Sequence, residues 1–537
     1  MPGLLLGPQG GGWRPWNASP PGSRRGPVQN EQESPKTLRD LLAGLEGCLI
    51  QGDEDLLIPG VAYHSRDVVP GGIFVALKGH RTDGHRFISQ AINQGARGIV
   101  TEENLEPIPG VTVVRTPHAR LALAHISAAI YDHPSRDLTL VGITGTNGKT
   151  STTYLLEAIH TAAGHRVGVV GTVNYRVAGE AWPAPVTTPE SLDLQRLLRE
   201  MRRRGVSHVF MEVSSHALDL RRVDRARFAA AVFTNLSQDH LDYHRDLEDY
   251  FAAKSRLFVE LLANGRRQET LAVLNLDDPR GHDLAGRVQV GALTYGRHPQ
   301  SQVRPKECVY RRTGLEARLA SPAGDIEINS RLVGHFNLSN ILAAAATALG
   351  LGLDPETIAR GIAALNGVPG RLERFGPPEG PAVFVDYAHT PDALAQALAA
   401  LKELDFRRLI TVFGCGGDRD RRKRPLMGRA AARGSDLVVV TSDNPRTEDP
   451  LVIIREIEPG LQAAGLAPIS AAAARRGERG YLIVPDRREA IQVAVSLAEP
   501  PDAVLVAGKG HENYQIRGAE RIHFDDREEV AEALKGR

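Results

Sequence analysis

The chain has 537 residues with 65 basic and 64 acidic side chains, so its formal net charge is only +1. A nearly neutral chain carries no overall charge that would attract nucleic acid or an acidic membrane surface, and any site for a polyanion must be local. At about 150 residues per domain, this length predicts three or four domains.

Cysteine usage and hydropathy indicate the compartment. Cys48, Cys308 and Cys415 are far apart and odd in number, which argues against a disulfide framework or a zinc site and favours a reducing environment. The longest nearly apolar run, residues 341–353, is shorter than the ~18 residues that a membrane-spanning helix needs. We expect a cytoplasmic protein with no integral membrane segment and no nucleic-acid partner, acting as a monomer.

The first part of the chain separates into a tail and a small domain. Residues 1–35 are rich in Gly, Pro, Arg and Ser, which predicts a disordered extension. Residues 36–136 then show strand-like runs at 61–63, 73–77 and 98–100 and a helical run at 86–94. This alternation predicts a small α/β domain.

Residues 142–154 carry the most informative pattern. An apolar run leads into the turn Gly145-Thr-Asn-Gly-Lys-Thr150, and apolar residues at helical spacing follow it. Such a loop binds phosphate, because its N–H groups and the helix N-terminus converge on one anion; Lys149 would reach terminal phosphate oxygens and Thr150 would hold Mg²⁺. Ile143 stands where the common pattern has glycine, so Gly142 and Gly145 are expected to form the turn.

Two further domains are predicted. In residues 137–366, strands at 167–170, 208–213, 230–234 and 271–275 alternate with helices, which indicates a parallel sheet around the phosphate loop. After a turn-rich segment, residues 367–537 predict a second, doubly wound α/β domain with strands at 382–386, 409–414, 437–442, 481–484 and 503–507. Ligands of such sheets bind beyond the carboxyl ends of the strands, so Glu212 and His240 are expected near the ion held by Thr150.

Seven motifs follow one another along the chain. They are Gly145-Thr-Asn-Gly-Lys-Thr150, Thr187-Thr-Pro189, Glu212-Val-Ser-Ser-His216, Asp239-His-Leu-Asp242, Gly334-His-Phe-Asn-Leu-Ser-Asn340, Gly370-Arg-Leu-Glu373 and Asp386-Tyr-Ala-His-Thr-Pro391. In this order they resemble the Mur ligases, and the resemblance spans nearly the whole chain after residue 40. It implies a three-domain architecture in which residues 36–136 bind a UDP-linked precursor, a central P-loop ATPase sheet at 137–366 binds ATP, and a Rossmann-like domain at 367–537 binds an amino acid.

Within the family, the pattern is most similar to members that add meso-diaminopimelate to UDP-N-acetylmuramoyl-L-alanyl-D-glutamate for peptidoglycan synthesis. The resemblance implies an ATP-dependent ligase that forms an acyl phosphate, with ATP and Mg²⁺ as cofactors. It also implies that Lys254 is carbamylated by CO₂ to N6-carboxylysine. That reaction needs a neutral amine, so we expect Lys254 to be partly buried with a lowered pKa.

The resemblance assigns further residues to each ligand. Catalytic roles fall to Lys149, Glu212, His240 and Lys254, and Mg²⁺ to Thr150, Glu212, His240 and carbamylated Lys254. ATP contacts fall to Gly145, Thr146, Asn147, Gly148, Lys149, Thr150, Ser151, Asn337, Asn340, Arg371 and Asp386. Contacts to the UDP precursor fall to Tyr63, Ser65, His80, Arg81, Thr82, Thr187, Thr188, Ser214 and Arg222.

The motif Asp443-Asn-Pro-Arg446 discriminates between amino-acid substrates. Diaminopimelate has a distal carboxylate that an arginine can bind through two hydrogen bonds, whereas lysine lacks it. The resemblance implies contacts to diaminopimelate from Arg419, Asp443, Asn444, Pro445, Arg446, Gly508 and Glu512, with Glu512 suited to the distal ammonium. Two alternatives stay open: a lysine-adding ligase of the same type and a nucleotide-binding switch without ligase activity. A ligase similar to folylpolyglutamate synthetase is disfavoured, because the first domain and the 443–446 motif are both present.

Overall fold

The structure is a computed structural model that describes residues 36–79, 82–237, 239, 243–263, 270–377 and 379–536. The chain divides into two compact units, Met1–Ala119 and Arg120–Arg537. The tail at 1–35 that the sequence predicts to be disordered lies outside the described residues, as do His80, Arg81 and His240. No helix in the described part of the chain is both long and apolar enough to cross a membrane.

The first unit is built on a five-stranded sheet in the order β2-β7-β6-β5-β4, with a separate β1-β3 pair. Strand β5, between β6 and β4, is buried along its whole length, as expected for a parallel strand that reads as a continuous apolar run. The predicted helical run begins as a 3₁₀ turn (Gly84–Phe87) and continues as α2. The elements are β1 (Lys36–Thr37), α1 (Leu38–Leu42), β2 (Leu49–Gln51), β3 (Leu57–Ile58), β4 (Val61–Ala62), β5 (Ile73–Val75), α2 (Ile88–Asn93), β6 (Gly98–Thr101) and β7 (Thr112–Arg115).

The second unit contains an eight-stranded sheet in the order β11-β10-β9-β12-β8-β13-β14-β15. The strands from β9 to β15 in that order are parallel, and β10 and β11 add an antiparallel edge. The strands are β8 (Thr139–Thr144), β9 (Val167–Val170), β10 (Tyr175–Val177), β11 (Glu180–Trp182), β12 (His208–Glu212), β13 (Ala230–Phe233), β14 (Leu271–Asn275) and β15 (Gly291–Tyr295). The helices are α3 (Ala119–Ile130), α4 (Lys149–Ala162), α5 (Ser191–Arg203), α6 (Ser215–Asp219), α7 (Leu247–Arg256) and α8 (Pro279–Ala285).

A three-stranded antiparallel sheet and two helices follow, and the sequence analysis did not predict this sheet. It consists of β16 (Arg304–Arg311), β17 (Gly314–Ala320) and β18 (Ile326–Ser330), followed by α9 (His335–Gly350) and α10 (Pro355–Ala364). Alternate residues of β17 and β18 join the core formed by β8, α4 and the alanine-rich α9. Gly361 of α10 lets this helix approach the backbone of α4 closely, since a Cβ there would lie 2.3 Å from the Ile159 Cα.

The last part of the second unit is a six-stranded sheet in the order β19-β20-β24-β21-β22-β23. Helices cover both faces, with one apolar cluster on each. The strands are β19 (Glu373–Phe375), β20 (Ala382–Asp386), β21 (Leu409–Phe413), β22 (Leu437–Val440), β23 (Gly480–Ile483), β24 (Ala503–Ala507), β25 (Tyr514–Arg517) and β26 (Glu520–His523), of which the last two form a hairpin. The helices are α11 (Pro391–Lys402), α12 (Lys423–Gly434), α13 (Pro450–Ala463), α14 (Ala471–Arg475), α15 (Arg487–Leu497) and α16 (Asp526–Lys535).

The observed sheets confirm the predicted α/β class with two separate parallel sheets. Every strand predicted between 167 and 275 and between 382 and 507 is present, with ends that differ by at most a residue or two. The domain boundaries at 136 and 366 remain predictions.

Candidate active site

The phosphate loop joins β8 to α4, as predicted. Gly145 and Gly148 have φ angles of 146° and 87°, a region that favours glycine. A Cβ on Gly145 would lie 1.9 Å from the Thr234 Oγ1, and one on Gly148 would lie 2.4 Å from the Asn340 Oδ1. The prediction that Gly142 helps to form the turn is wrong, because this residue lies inside β8, where it packs against Phe228.

Lys149 and Thr150 open α4 and meet Glu212 at the end of β12. The Lys149 Nζ donates to the carbonyls of Gly145 and Thr146, both at 2.8 Å, and burial lowers the pKa of this lysine. The Thr150 Oγ1 donates to the Glu212 Oε1 at 3.0 Å. Strands β8 and β12 are parallel neighbours with Glu212 beside Ile143, so the structure brings the predicted threonine and carboxylate together.

Glu212 is buried, with 1% of its surface exposed. Besides Thr150, it accepts hydrogen bonds from the Thr172 N and Oγ1 at 2.9 and 3.0 Å. These donors are neutral groups, whereas a buried carboxylate is stabilised by a cation. The arrangement therefore suits a metal ion at the end of β12.

Lys254 lies on α7, directly before a π-helical turn (Leu257–Leu261). Its Nζ donates to the Gly145 carbonyl at 2.9 Å, so α7 holds this side chain against the phosphate loop. Burial, and then repulsion from Lys149, lower the Lys254 pKa well below its usual value. The predicted fall in pKa is confirmed, and the burial is complete rather than partial, with 1% of the residue exposed.

The other loop residues are held by neighbouring strand ends. The Asn147 N–H donates to the Asn235 Oδ1 at 2.9 Å, and the Thr146 hydroxyl lies 3.3 Å from the Tyr250 hydroxyl of α7. Ser151 is buried in the first turn of α4. Asn235 and Tyr250 thus hold the loop at two successive residues, Asn147 and Thr146.

Asn337 and Asn340 lie in the first turns of α9, and both are buried. The Asn340 Nδ2 donates to the Asn337 Oδ1 at 2.9 Å, and the Asn337 Nδ2 donates to the Val333 carbonyl at 2.8 Å. Together with the approach of Asn340 to Gly148, this pair fixes α9 against the phosphate loop. A cavity of about 640 Å³ opens beside the same helix and is lined in part by Phe336, His298 and Asp277.

Arg371 and Asp386 connect the six-stranded sheet to the phosphate loop. The Arg371 Nη2 donates a hydrogen bond to the Thr150 Oγ1 at 3.4 Å. Asp386 accepts from the backbone N–H groups of Leu372 and Ala388 at 2.7 and 2.8 Å, and burial raises the pKa of its carboxyl. Asp386 therefore holds the segment that carries Arg371, which places the guanidinium at the loop.

Several of the residues predicted to contact the amino acid lie in and beside the segment 443–446. The Asn444 Nδ2 donates to the Glu512 Oε2 at 3.1 Å, and the Arg446 Nη1 donates to the Gly417 carbonyl at 2.7 Å. Arg446 has a φ of 52°, and the Pro445 carbonyl accepts from Glu448 in the adjoining turn.

Two glycine-bearing loops complete this region. Gly508 lies against Asp443, since a Cβ there would be 2.8 Å from the Asp443 Oδ2. Arg419 is exposed in the loop after β21. Gly370 packs on the backbone of Gly510 and His511, so the segment that leads to Arg371 contacts the loop that carries Glu512.

The residues predicted for the UDP precursor fall in both units. In the second unit, the Thr188 Oγ1 donates to the Glu212 carbonyl at 2.8 Å, and the Arg222 Nη1 donates to the Thr188 carbonyl at 3.2 Å. The Thr187 and Thr172 hydroxyls are 3.0 Å apart, and the Ser214 hydroxyl caps α6. These side chains surround the end of β12.

In the first unit, Tyr63 and Thr82 reach the surface, whereas Ser65 is buried and its hydroxyl donates to Gln90 at 2.9 Å. His80 and Arg81 lie outside the described residues.

Comparison with known proteins identifies the family. Three family models match: the Mur ligase family catalytic domain at residues 57–131, the Mur ligase middle domain at 143–348 and the Mur ligase glutamate ligase domain at 370–510. A Geobacter metallireducens protein named UDP-N-acetylmuramoyl-L-alanyl-D-glutamate--2,6-diaminopimelate ligase is 49% identical over 93% of this chain and 98% of its own. The chain belongs to the Mur ligase family.

Solved structures agree with this assignment. A structure of a UDP-N-acetylmuramoyl-L-alanyl-D-glutamate--2,6-diaminopimelate ligase matches with a TM-score of 0.68 and 32% identity, covering 94% of this chain and 99% of the other. A Mycobacterium tuberculosis folylpolyglutamate synthase complexed with ADP and AMPPCP matches with a TM-score of 0.57 and 21% identity, covering 78% and 95%. The second likeness shows a shared fold alone. The predicted family and three-domain Mur ligase architecture are confirmed, and the chain is an ATP-dependent, amide-forming ligase.

Two residues of this Mur ligase site were missed by the sequence analysis. Lys509 is fully buried, and its Nζ donates to the Glu512 Oε2 at 3.1 Å and the Asn444 Oδ1 at 3.2 Å. Thr172 binds Glu212 through both its N–H and its hydroxyl. The position of Lys509 between two glycines, directly after the apolar run of β24, could have indicated this residue. Nothing in the local sequence around Thr172 singles it out.

Proposed function

We propose that this Mur ligase joins meso-diaminopimelate to the D-glutamyl carboxyl of UDP-N-acetylmuramoyl-L-alanyl-D-glutamate and converts ATP to ADP and phosphate. A precursor carboxylate oxygen would attack the γ-phosphorus, ADP would leave, and the amine would attack the acyl phosphate and expel phosphate. The observation that carries the proposal is the cluster of Lys149, Thr150, Glu212 and Lys254 around one phosphate loop. The 49% identical relative carries the name of this activity.

The site must bring together two anions, the γ-phosphate and the substrate carboxylate. Their repulsion opposes reaction, and the protein lowers this barrier by holding cationic groups at the loop. Lys149 and Arg371 are the cations that lie there. We assign Lys149 to the phosphate oxygens and Arg371 to the charge that develops as the phosphoryl group moves.

A magnesium site would be built from Thr150, Glu212, carbamylated Lys254 and His240. The buried Glu212 carboxylate, bonded to neutral donors, fits a hard cation with oxygen ligands. When bound, Mg²⁺ would neutralise phosphate charge. The low pKa of Lys254 supports the carbamate, because the neutral amine is the form that reacts with CO₂.

The remaining ligands are assigned by position. We place the adenine ring in the cavity beside α9, where Phe336 supplies an aromatic surface. The diaminopimelate head would meet Arg446 through its carboxylate and Glu512 through its ammonium, close to Asn444. The UDP precursor would use Tyr63, Ser65, Thr82, Thr187, Thr188, Ser214 and Arg222, with His80 and Arg81. Because ATP is a cytoplasmic metabolite, we place the reaction in the cytoplasm.

The test is phosphate release together with mass detection of the amide product. Purified enzyme receives MgATP, the UDP-linked dipeptide and one amino acid from a panel of meso-diaminopimelate, L-lysine and L-ornithine. We expect product with meso-diaminopimelate and phosphate release only when both acceptor and amine are present. Preference for L-lysine would contradict the amino-acid assignment, and hydrolysis of ATP without either substrate would contradict coupled ligation.

A further inference from the structure

Three histidines gather at the end of the eight-stranded sheet that lies away from the phosphate loop. His160 is in the last turn of α4, His165 lies between α4 and β9, and His208 is the first residue of β12. Helix α4 has 14 residues, which at 1.5 Å per residue puts about 21 Å between its two ends. The cluster is therefore separate from the proposed ligase site.

The end of α4 creates the first contact in this cluster. Gly164 has a φ of 83°, its N–H donates to the Thr161 carbonyl, and the His165 N–H donates to the His160 carbonyl at 3.0 Å. This pair of bonds is a Schellman motif, which brings the side chains of its two outer residues together. Here those residues are both histidines, and their Nδ1 atoms are 3.1 Å apart.

Strand pairing supplies the third imidazole. His208 is in register with Val167, two residues after His165, and the rings of His165 and His208 stack with centroids 4.1 Å apart. One ligand nitrogen from each of the three histidines lies within 4.8 Å of the others. The Ser207 hydroxyl bonds to the His208 Nδ1 at 2.9 Å, which leaves the Nε2 of that ring for a ligand.

These distances are close to those of a metal centre. Zn²⁺ binds histidine nitrogens at about 2.0–2.1 Å in tetrahedral geometry, so two ligand nitrogens lie about 3.3 Å apart. The 3.1 Å between the His160 and His165 nitrogens already fits this value. His165 and His208 are partly exposed, so small side-chain rotations can bring the third nitrogen in and leave a position open to water.

The surroundings of His160 support a ligand. This residue is fully buried, and its Nδ1, 3.1 Å from the His165 Nδ1, is the nitrogen that would bind the ion, which leaves the ring proton on its Nε2. Burial, and then the neighbouring imidazoles, lower the pKa of His160 to about 3. Burial is also the main cause that lowers the pKa of His208 to about 4. The His160 and His208 rings are therefore neutral near pH 7, and neutral imidazole is the form that binds metal.

We propose that His160, His165 and His208 form a binding site for a divalent transition-metal ion of the zinc class. A donor set of imidazoles suits Zn²⁺, Co²⁺, Ni²⁺ or Cu²⁺, whereas Mg²⁺ prefers oxygen ligands. The ion would tie the end of α4 to the starts of β9 and β12. Because it would bind the folded state alone, it would stabilise this unit.

The test is Zn²⁺ titration of the full-length, metal-stripped protein in excess Mg²⁺, which occupies oxygen-ligand sites. Wild type is compared with His165→Ala and His208→Ala, which change partly exposed residues, and with His523→Ala as a control at an exposed histidine paired with Glu528. We expect one Zn²⁺ per chain, an affinity at least tenfold weaker in the two cluster variants and unchanged binding in the control. Co²⁺ should give the absorption of a tetrahedral nitrogen site in wild type and in the control.

A second readout separates a metal site from a packed group of stacked rings. Zn²⁺ should raise the melting temperature of wild type and of the control, and this rise should be lost in both cluster variants. Equal Zn²⁺ affinity in all four proteins, or no Zn²⁺-dependent change in the melting temperature of wild type, would overturn the proposal.

Discussion

Two buried lysines of the second unit have different partners. Lys254 lies on α7, beside the eight-stranded sheet, and Lys509 follows β24 of the six-stranded sheet. Lys254 donates to the Gly145 carbonyl and lies 4.3 Å from the centre of the Tyr250 ring. Lys509 donates to the Glu512 carboxylate at 3.1 Å and also to Asn444. A buried ammonium is stable when a carboxylate pairs with it and costly when none does.

The difference separates a reactive amine from a structural cation. Lys254 is held by a carbonyl close to another lysine, and its pKa is lowered, so this side chain is suited to lose a proton and react. Lys509 is part of an ion pair that positions Glu512 beside Asn444. The following changes test this distinction, from the largest expected effect to the smallest.

The largest effect is expected for Lys254→Ala. If the carbamate helps to hold the metal at the phosphate loop, its loss should lower kcat by at least ~1,000-fold, equivalent to about 4 kcal/mol of transition-state stabilisation. A short carboxylic acid in solution should restore part of the rate. Steady-state phosphate release measures both effects.

Lys402→Ala provides the matched control, since this lysine lies on an exposed part of α11 and donates to the Arg433 carbonyl. Its turnover should equal that of wild type. A rate for Lys254→Ala within tenfold of wild type would remove the carbamate from the mechanism.

The second effect is on folding. Lys509→Met leaves Glu512 without its buried cation, so we expect a loss of about 3 kcal/mol in the free energy of unfolding and a higher KM for the diamino acid. Lys254→Met removes a lysine whose lowered pKa means that it gives up a proton at a cost when the chain folds, so near pH 7 this variant should be at least as stable as wild type. Urea denaturation of both variants gives the comparison, and equal losses would show that the two lysines are not held differently.

Local patterns in the sequence were sufficient for the centre of the site. Lys149 and Thr150 follow a recognisable strand and turn, and Glu212 ends the next parallel strand, so the edge of the sheet brings them together. The carboxyl ends of parallel strands are predictable because the sheet topology constrains where they lie. Lys254 needed the family resemblance, since an isolated lysine on a helix carries no signal of its own.

Features that depend on distant packing were missed. Gly142 looks like a turn glycine, but β8 continues through it because the chain needs a small residue beside Phe228. Thr172 reaches Glu212 from another strand end, and one of the two partners of Lys509, Asn444, is 65 residues away in the sequence. Such contacts arise from the tertiary fold, which local periodicity does not encode.

A third effect is expected at the substrate end. Arg446→Ala should raise the KM for meso-diaminopimelate about 10- to 100-fold, because a charge-assisted hydrogen bond contributes about 1.5–3 kcal/mol. The KM for ATP should stay unchanged, since the nucleotide contacts are on other segments. Arg446→Lys keeps the charge but loses the fork geometry, so its KM should fall between those of wild type and Arg446→Ala. An unchanged KM in both variants would contradict the assigned contact.

The last effect, the smallest when counted for a change of one pH unit, is a pH dependence that reports the charge of Lys254 directly. Its pKa in the folded state is lowered from the usual 10.5, so between the folded pKa and 10.5 the unfolded chain binds a proton that the folded chain does not. The free energy of unfolding of wild type relative to Lys254→Met should therefore rise with pH across that window, by at most about 1.4 kcal/mol per pH unit. This comparison is made in CO₂-free buffer by urea denaturation from pH 7 to 10.

Added bicarbonate should stabilise wild type further and leave Lys254→Met unchanged, because carbamylation consumes the neutral amine of the folded state. A difference between the two proteins that stays flat with pH would mean that Lys254 remains protonated when folded. In that case the carbonyl of Gly145 and the ring of Tyr250 would be sufficient to hold a buried cation, and the contrast with Lys509 would disappear.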